Sequence, residues 1–362
     1  VVITASHNSA SDNGFKLFDG DGRKLTDAEE ADIENRLPGP AESVRPGLSA
    51  WQPAGRTGAG SFRLSDSAAD YIAAARAVLP AGALKGWRIA LDTANGATCA
   101  TSTAAFRELG AELIGIGNAP DGLNINAGVG SEHPERLCRQ VLAFGARLGV
   151  AHDGDGDRCV VCDEKGLLLD GDEMMGILAT RALEFGKLAA NTLVTTVQSN
   201  LGLDAAVRAA GGRVVRTPVG DRYVIEGMRA EGATLGGESS GHVIFSEISP
   251  TGDGLVAALK LVEVMLETGE PLSRLRQRIA RFPQATTALF VRKKKPLCDL
   301  HVLSAAIAAI EAEFGDRGRV LVRYSGTESL LRLLVEGPDL ESVRSSMDRL
   351  VAAAGAEPDL LR

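Results

Sequence analysis

Apolar residues along the chain fall into short runs that alternate with longer amphipathic stretches, and this alternation predicts repeated β and α units. After a predicted helix at 65–79, one unit comprises a strand at 88–91, a turn at Asn95-Gly96, a helix at 98–109 stopped by Gly110, and a strand at 112–116. A helix at 134–143 then feeds a short apolar strand within 145–151, and a further strand is predicted at 159–162. The pattern repeats with helix 172–185, strand 192–197, helix 203–210, strand 213–216, helix 223–231, strands 233–235 and 242–245, and helix 253–267. The tail reads as strand 288–291, helix 300–314, strands 319–323 and 330–335, and helix 340–353. Residues 37–60, rich in Pro, Gly and Ser, show no period and read as a loop closing a first domain. Domains are therefore expected over 1–62, 63–163, 164–282 and 283–362.

Composition narrows the class. A chain of 362 residues outgrows a single core, and 44% hydrophobic residues with 24% charged residues and 42 glycines fit a loop-rich α/β protein rather than a disordered one. The formal charge of −8 argues against a nucleic-acid partner, and the short basic run 292–295 reads as a solvated strand end. The five cysteines lack zinc spacing; Cys159 and Cys162 should point to opposite faces of one strand and stay reduced. No apolar stretch is long enough to span a bilayer, so a cytoplasmic enzyme with no membrane partner is expected. The chain opens inside the apolar run Val1-Val2-Ile3 without methionine, which reads as an N-terminally incomplete sequence.

Four loops carry the candidate chemistry. In Asp153-Gly154-Asp155-Gly156-Asp157-Arg158, three carboxylates at every second position can turn toward one hard divalent cation if the glycines let the backbone curl. An EF-hand is the nearest competitor, with Glu164 at its twelfth position, but Arg158 stands where that loop needs glycine and a strand follows. Without a cation the three carboxylates would repel one another. Ser6, on a polar loop just past the first apolar run and with Lys16 ten residues on, suits a nucleophile or phosphoryl carrier beside a proton donor. Ser6 and His7 are expected to diverge, as sequence neighbours do.

Gly237-Glu238-Ser239-Ser240-Gly241 matches a hydrolase elbow in letters, yet a strand rather than a helix is predicted after it. Glu238, Ser240 and His242 instead offer a carboxylate, a hydroxyl and an imidazole suited to sugar hydroxyls. Arg323, Ser325, Gly326, Thr327 and Arg332 make a cradle for a phosphate dianion. Carrier, cation site, sugar clamp and phosphate anchor together specify phosphoryl transfer on a phosphosugar.

These loops, in this order, resemble the α-D-phosphohexomutase family over essentially the whole chain. The resemblance implies three related α/β domains and a smaller C-terminal α+β domain around a central cleft. It implies that Ser6 is the phosphoserine and that Asp153, Asp155 and Asp157 hold one Mg2+ together with an oxygen of that phosphoserine. By the same resemblance Lys16 and His242 handle protons, and Arg158 lies near the phosphoserine. Glu238 and Ser240 contact the sugar, while Arg323, Ser325, Gly326 and Thr327 contact phosphate, with Arg332 beside them. A hexose 1,6-bisphosphate serves as primer or intermediate.

The runs 218–224, 251–254 and 323–328, with Asp221 and Arg222 as further substrate contacts, resemble the branch that acts on glucosamine phosphates, although the mannose and glucose branch shares the same loop logic. Two departures stand out: Ser9 replaces the family's usual proline, and an N-terminal portion with an arginine-bearing loop is absent from this chain. The rival class is a sugar-phosphate-binding protein with no phosphate on Ser6. Assembly is left open, a homodimer being one expectation.

Overall fold

A computed structural model describes residues 1–20, 25–36, 67–325 and 328–361. The 37–60 loop, Gly326 and Thr327 lie outside the described residues. The chain opens with an antiparallel pair, β1 (Val2–Ile3) and β2 (Phe15–Lys16), followed by helix α1 (Asp27–Arg36). The loop between β1 and β2 carries Ser6.

Helix α2 (Ser67–Arg76) leads to a sheet built from β3 (Arg88–Asp92), β4 (Glu112–Ile116), β5 (Leu148–His152), β6 (Cys159–Asp163) and β7 (Leu168–Leu169). Helices α3 (Thr98–Glu108) and α4 (Glu135–Phe144) are its crossovers. The strand order is β4-β3-β5-β6-β7; the first three are parallel, and β5 turns back into β6 through the three-aspartate loop.

The next unit repeats that plan. After α5 (Gly171–Glu184) come β8 (Thr192–Thr196), α6 (Leu201–Ala209), β9 (Arg213–Thr217), α7 (Asp221–Glu231), β10 (Leu235–Gly237), β11 (Val243–Phe245) and α8 (Gly254–Thr268). The order β11-β10-β8-β9 again has three parallel strands and one antiparallel return, with the Glu238–His242 turn where the other sheet has its aspartates. The two loops are therefore topological equivalents, at the carboxyl ends of parallel strands where open α/β sheets bind ligands. Side-chain caps fix the helix starts that flank this site: Asp170 accepts from Glu173 N, Asn200 from Gly202 N, and Asp253 from Val256 N.

A short helix α9 (Leu272–Leu275) precedes the C-terminal unit, which comprises β12 (Gln284–Phe290), α10 (His301–Phe314), β13 (Arg319–Tyr324), β14 (Leu330–Glu336) and α11 (Leu340–Ala356). Its sheet, β12-β14-β13, is wholly antiparallel. The observed architecture is the expected fold class.

Packing joins the middle units and separates the last. One core runs from Ile89 and Leu148 through Met174 and Leu193 to Leu255, whereas Val291, Leu303, Leu333 and Leu350 belong to a core of their own. Cys159 lies in the first of these and Cys162 in a different cluster with Val141, so they do face opposite sides of β6, and all five cysteines are free. No helix of the described residues is long and apolar enough to cross a membrane.

Elements β2, β7 and α9 were not expected, and three other differences have an identifiable cause. The strand placed at 233–235 is β10, two residues later, because Gly232 ends α7 in the left-handed region and Ala233 N still bonds back to Met228 O. The strand placed at 288–291 starts at Gln284, since Thr286 and Thr287 alternate in burial within an amphipathic strand. Helix α1 was missed because its sequence DAEEADIENR has no apolar stripe.

Candidate active site

The Ser6 loop departs from a hairpin whose ends are tied by the Thr4 N to Gly14 O bond, 2.9 Å. Thr4 Oγ1 accepts from Ser6 N at 2.9 Å, and Ser6 adopts φ +57°, a left-handed conformation that L-residues other than Asn and Asp seldom take. Local strain of this kind is typical of functional turns. Ser6 Oγ donates to Asp155 Oδ2, and Lys16 Nζ lies 3.1 Å from Ser6 Oγ and 3.2 Å from Asp155 Oδ2.

His7 overturns the expected divergence. Its Nδ1 stands 3.4 Å from Ser6 Oγ, because the left-handed turn at Ser6 brings neighbouring side chains to one side. Asn126 Nδ2 holds His7 O at 2.6 Å from the second unit. His7, Asp153 and Asp155 place possible ligand atoms within 4.8 Å of one another. Sequence reasoning passed over His7, and its adjacency to Ser6 was the only signal.

In the aspartate loop, Asp153 Oδ1 accepts from Gly156 N and Arg158 N, both at 3.1 Å, so the loop curls around that side chain. What remains is telling: Asp153 Oδ2, Asp155 Oδ1 and Asp157 Oδ1 are buried with no hydrogen-bond donor among the described residues. Orphaned buried carboxylate oxygens are costly, and a hard divalent cation satisfies those that converge; Asp153 and Asp155 do so together with His7, whereas Asp157 is not part of that group. The donor set is all-oxygen apart from His7, which suits Mg2+ or a similar ion. Glu164, the residue an EF-hand would need, instead accepts from Ser273 N at 3.3 Å and from its hydroxyl.

The electrostatics follow from this crowding. Burial, then the Asp157 and Asp155 charges, push the Asp153 carboxyl up to about 8. Burial also works against Asp155, yet hydrogen bonds led by the Ser6 hydroxyl leave its carboxyl below the ordinary value. Partial burial likewise works against Asp157, but His242 and then Arg158 hold it well below the carboxylate range. His242 Nδ1 lies 3.5 Å from Asp157 Oδ2, and Arg158 Nε lies 3.7 Å from Asp157 Oδ1 and 3.9 Å from Asp153 Oδ2.

The two equivalent loops lock back to back through Cys159 N to Gly241 O, 3.1 Å. Gly241 has φ +90°, and a Cβ there would stand 2.0 Å from Cys159 O, so only glycine fits. Glu238 Oε1 accepts from Gly220 N at 3.0 Å, aligning it with the start of α7, and Ser240 is exposed. Asp221 Oδ1 accepts from Arg222 N at 2.8 Å, while the Arg222 guanidinium sits 3.7 Å from Glu226 and 5.2 Å from the Tyr223 ring centroid. A cavity of about 610 Å³ is lined by Lys16, Asp155, Asp157, Asp221, Arg222 and Gly252, a size that suits a phosphosugar. The hydrolase elbow fails on geometry, since β11 follows the turn.

Arg323 and Arg332 face each other across β13 and β14. Burial, then the Arg332 charge, lower the Arg323 guanidinium's affinity for its proton, so the pair favours an anion. Arg332 Nη2 donates to Glu328 Oε2 at 2.9 Å, and Ser325 is buried. The pair lines a separate cavity of about 320 Å³ with Gln198, Thr286 and Thr287. No hydrogen bond or ion pair among the described residues joins this group to the Ser6 cluster. The basic run is not a simple solvated end: Lys294 Nζ donates to Ser325 O at 2.6 Å, which anchors the loop.

Comparison with known proteins agrees with this geometry. Four phosphoglucomutase/phosphomannomutase family descriptions match: alpha/beta/alpha domain I at residues 1–42, domain II at 69–166, domain III at 170–282, and the C-terminal domain at 269–353. The phosphoglucosamine mutase of Solidesulfovibrio magneticus is 47% identical over 351 residues, 97% of this chain and 77% of that protein. That of Syntrophotalea carbinolica is 46% identical over 341 residues, 94% of this chain and 73% of that protein. In structure, a phosphoglucomutase/phosphomannomutase family protein of Burkholderia thailandensis superposes with a TM-score of 0.75 at 23% identity, covering 99% of this chain and 77% of its own. An Aspergillus fumigatus N-acetylphosphoglucosamine mutase in complex with GlcNAc-6P and magnesium gives 0.63 at 17% identity, covering 79% and 69%.

Proposed function

The chain belongs to the phosphoglucomutase/phosphomannomutase family of α-D-phosphohexomutases, and from that premise we propose that it is a phosphoglucosamine mutase, an isomerase that interconverts glucosamine 6-phosphate and glucosamine 1-phosphate. The observation that carries the site assignment is the Ser6 hydroxyl held on Asp155 with the Lys16 ammonium 3.1 Å away.

Ser6 is the phosphoryl carrier. In the forward half-reaction the P–O bond to Ser6 breaks as a P–O bond to the free sugar hydroxyl forms, giving a 1,6-bisphosphate. The hydroxyl's proton passes to His242, which Asp157 orients at 3.5 Å, and Lys16 returns a proton to the departing Ser6 oxygen. The bisphosphate then turns over and gives its other phosphoryl group back to Ser6. Glu238 and Ser240 hold sugar hydroxyls, Asp221 and Arg222 line the sugar cavity, and Arg323, Ser325 and Arg332 anchor the phosphate that is not reacting.

Asp153, Asp155 and Asp157 would hold Mg2+, which when bound supplies positive charge to the phosphoserine and the transferring group. The donors fit because each aspartate has one buried oxygen that accepts no hydrogen bond from the described residues. A cytoplasmic location accords with a phosphosugar substrate.

The deciding experiment compares conversion of glucosamine, glucose and mannose phosphates with magnesium and a sugar bisphosphate primer. Preference for glucosamine 6-phosphate is expected. Preference for glucose or mannose phosphates would overturn the substrate assignment, and conversion of none would overturn the enzymatic reading.

A further inference from the structure

We propose that Gly252 is a positioning residue for His242: the turn 251–254 is the platform on which the imidazole rests, and only a residue without a side chain leaves the ring beside Asp157. This rests on the mutase reading, in which His242 moves a proton.

The contact is close and broad. A Cβ built on Gly252 would stand 2.3 Å from Nε2, 2.4 Å from Cε1 and 2.5 Å from Cδ2 of His242. Near-equal distances to three ring atoms put that carbon over the face of the imidazole rather than at its edge. Gly252 is not in the left-handed region, so it is the ring contact rather than a left-handed backbone that demands glycine.

The platform cannot retreat, because it is tied on several sides. Asp253 N donates to Val243 O at 3.2 Å, and Gly254 N donates to Gly156 O at 3.0 Å in the aspartate loop. Tyr71 Oη donates to both Asp253 carboxylate oxygens, at 2.9 and 3.0 Å, while Asp253 Oδ1 caps α8 at Val256 N, 2.9 Å. Behind the turn, a Cβ on Gly254 would meet Arg158 O at 2.4 Å and His152 Nδ1 at 2.8 Å.

The ring has equally little room. His242 is 2% exposed, and its Nδ1 faces Asp157 Oδ2 at 3.5 Å. A methyl group at position 252 therefore displaces the imidazole from Asp157 rather than the backbone from the imidazole. The loss falls on proton transfer, while Lys16, the aspartate oxygens and the phosphate anchor stay where they are.

The test is a double-mutant cycle on the magnesium-loaded protein with glucosamine 6-phosphate, using Gly252→Ala, His242→Ala and both together. Gly252→Ala should lower kcat by at least about 10²-fold, as loss of a general acid–base group does, with KM unchanged. The double variant should turn over no more slowly than His242→Ala alone, since the methyl group has no ring left to displace. Parental kcat in Gly252→Ala, or losses that multiply in the double variant, would overturn the proposal.

Folding gives a second readout. If Gly252→Ala melts early, the double variant should regain the melting temperature of His242→Ala, and failure to regain it would also overturn the proposal. A parent that turns over no sugar phosphate would instead sink the mutase reading and leave this melting comparison intact.

Discussion

Ser6 and Asp155 meet across 149 positions of sequence, the serine hydroxyl donating to the carboxylate Oδ2. The contact joins the hairpin of the first unit to the aspartate loop of the second, and Lys16 bridges both partners. The Ser6 loop and the aspartate loop thus form one constellation, assembled by two β-hairpin turns that have no local reason to find each other. On the proposed mutase reading its members contribute differently: Ser6 supplies the reacting oxygen, Asp155 its anchor, and Lys16 the charge and proton.

Replacing Ser6 separates chemistry from strain. Ser6→Ala and Ser6→Gly should both abolish turnover and carry no added phosphate by intact mass, while still binding glucosamine 6-phosphate by calorimetry. Ser6 sits at φ +57°, a conformation that costs an L-residue roughly 1–2 kcal/mol and glycine little. Ser6→Gly should therefore unfold at higher urea than Ser6→Ala. Equal midpoints would show that the turn is unstrained, and normal turnover in either variant would remove Ser6 as the carrier.

Magnesium should stabilise the protein more as pH rises from about 6 to about 8, a window set by the raised Asp153 carboxyl. The sign follows from linkage. With its folded value above the unfolded one, Asp153 favours the metal-free fold at low pH and loses that contribution as pH climbs through the folded value. A cation displaces the retained proton and satisfies the orphaned oxygens. The gain in melting temperature on adding Mg2+ should accordingly grow over this window and shrink sharply in Asp155→Asn. A gain independent of pH would dissociate Asp153 from the ion.

Much of this was legible beforehand, for identifiable reasons. Strands such as β5 are short, largely apolar runs between turn residues, and α4 carries a clear apolar stripe with Leu137 and Val141 buried. The curl of the aspartate loop was legible because glycines alternate with its carboxylates. His7 was not, because its approach to Asp153 depends on the left-handed turn at Ser6 and on tertiary docking. Gly252 was equally hidden: a glycine whose backbone is ordinary gives no signal until the ring that covers it is seen. The shared core of the two middle units escaped the reading as well, since periodicity reports which face is buried and not what buries it.

Arg276 should prove a major stabilising residue of the joint between those units. Its guanidinium reaches Asp163 Oδ2 on β6 at 3.2 Å and Glu173 Oε1 on α5 at 2.7 Å, and also donates to Leu168 O at 2.9 Å. Asp163 and Glu173 are both buried, at 0% and 3% exposure. Arg276→Ala leaves Asp163 without its cation and Glu173 with only Arg281, 3.7 Å away, and should cost about 3–5 kcal/mol by urea unfolding. Arg276→Lys keeps the charge but not the fork and should fall between. A loss of well under 1 kcal/mol in Arg276→Ala would mean that water already solvates the pair.

His152 offers a stability titration on the opposite limb. Its imidazole is fully buried, with Nε2 3.1 Å from Ser102 Oγ and Nδ1 3.3 Å from Arg158 O. A carbonyl can only accept, so Nδ1 carries the proton and Nε2 accepts from the serine hydroxyl, which satisfies the neutral ring at both nitrogens. Burial accordingly pulls the imidazole down to about 4 from its ordinary 6.5, the bond to Arg158 O opposing only in part. Between those values the unfolded chain binds the extra proton and the native fold does not, so stability rises with pH. The contribution is complete above about pH 6.5 and lost as pH falls through about 4, up to roughly 3 kcal/mol in all. Urea midpoints measured near pH 5 and near pH 7 with magnesium present should differ in the parent, and His152→Gln should flatten that difference while lowering stability at neutral pH. An unchanged slope in His152→Gln would mean that other groups carry the acid sensitivity of this fold.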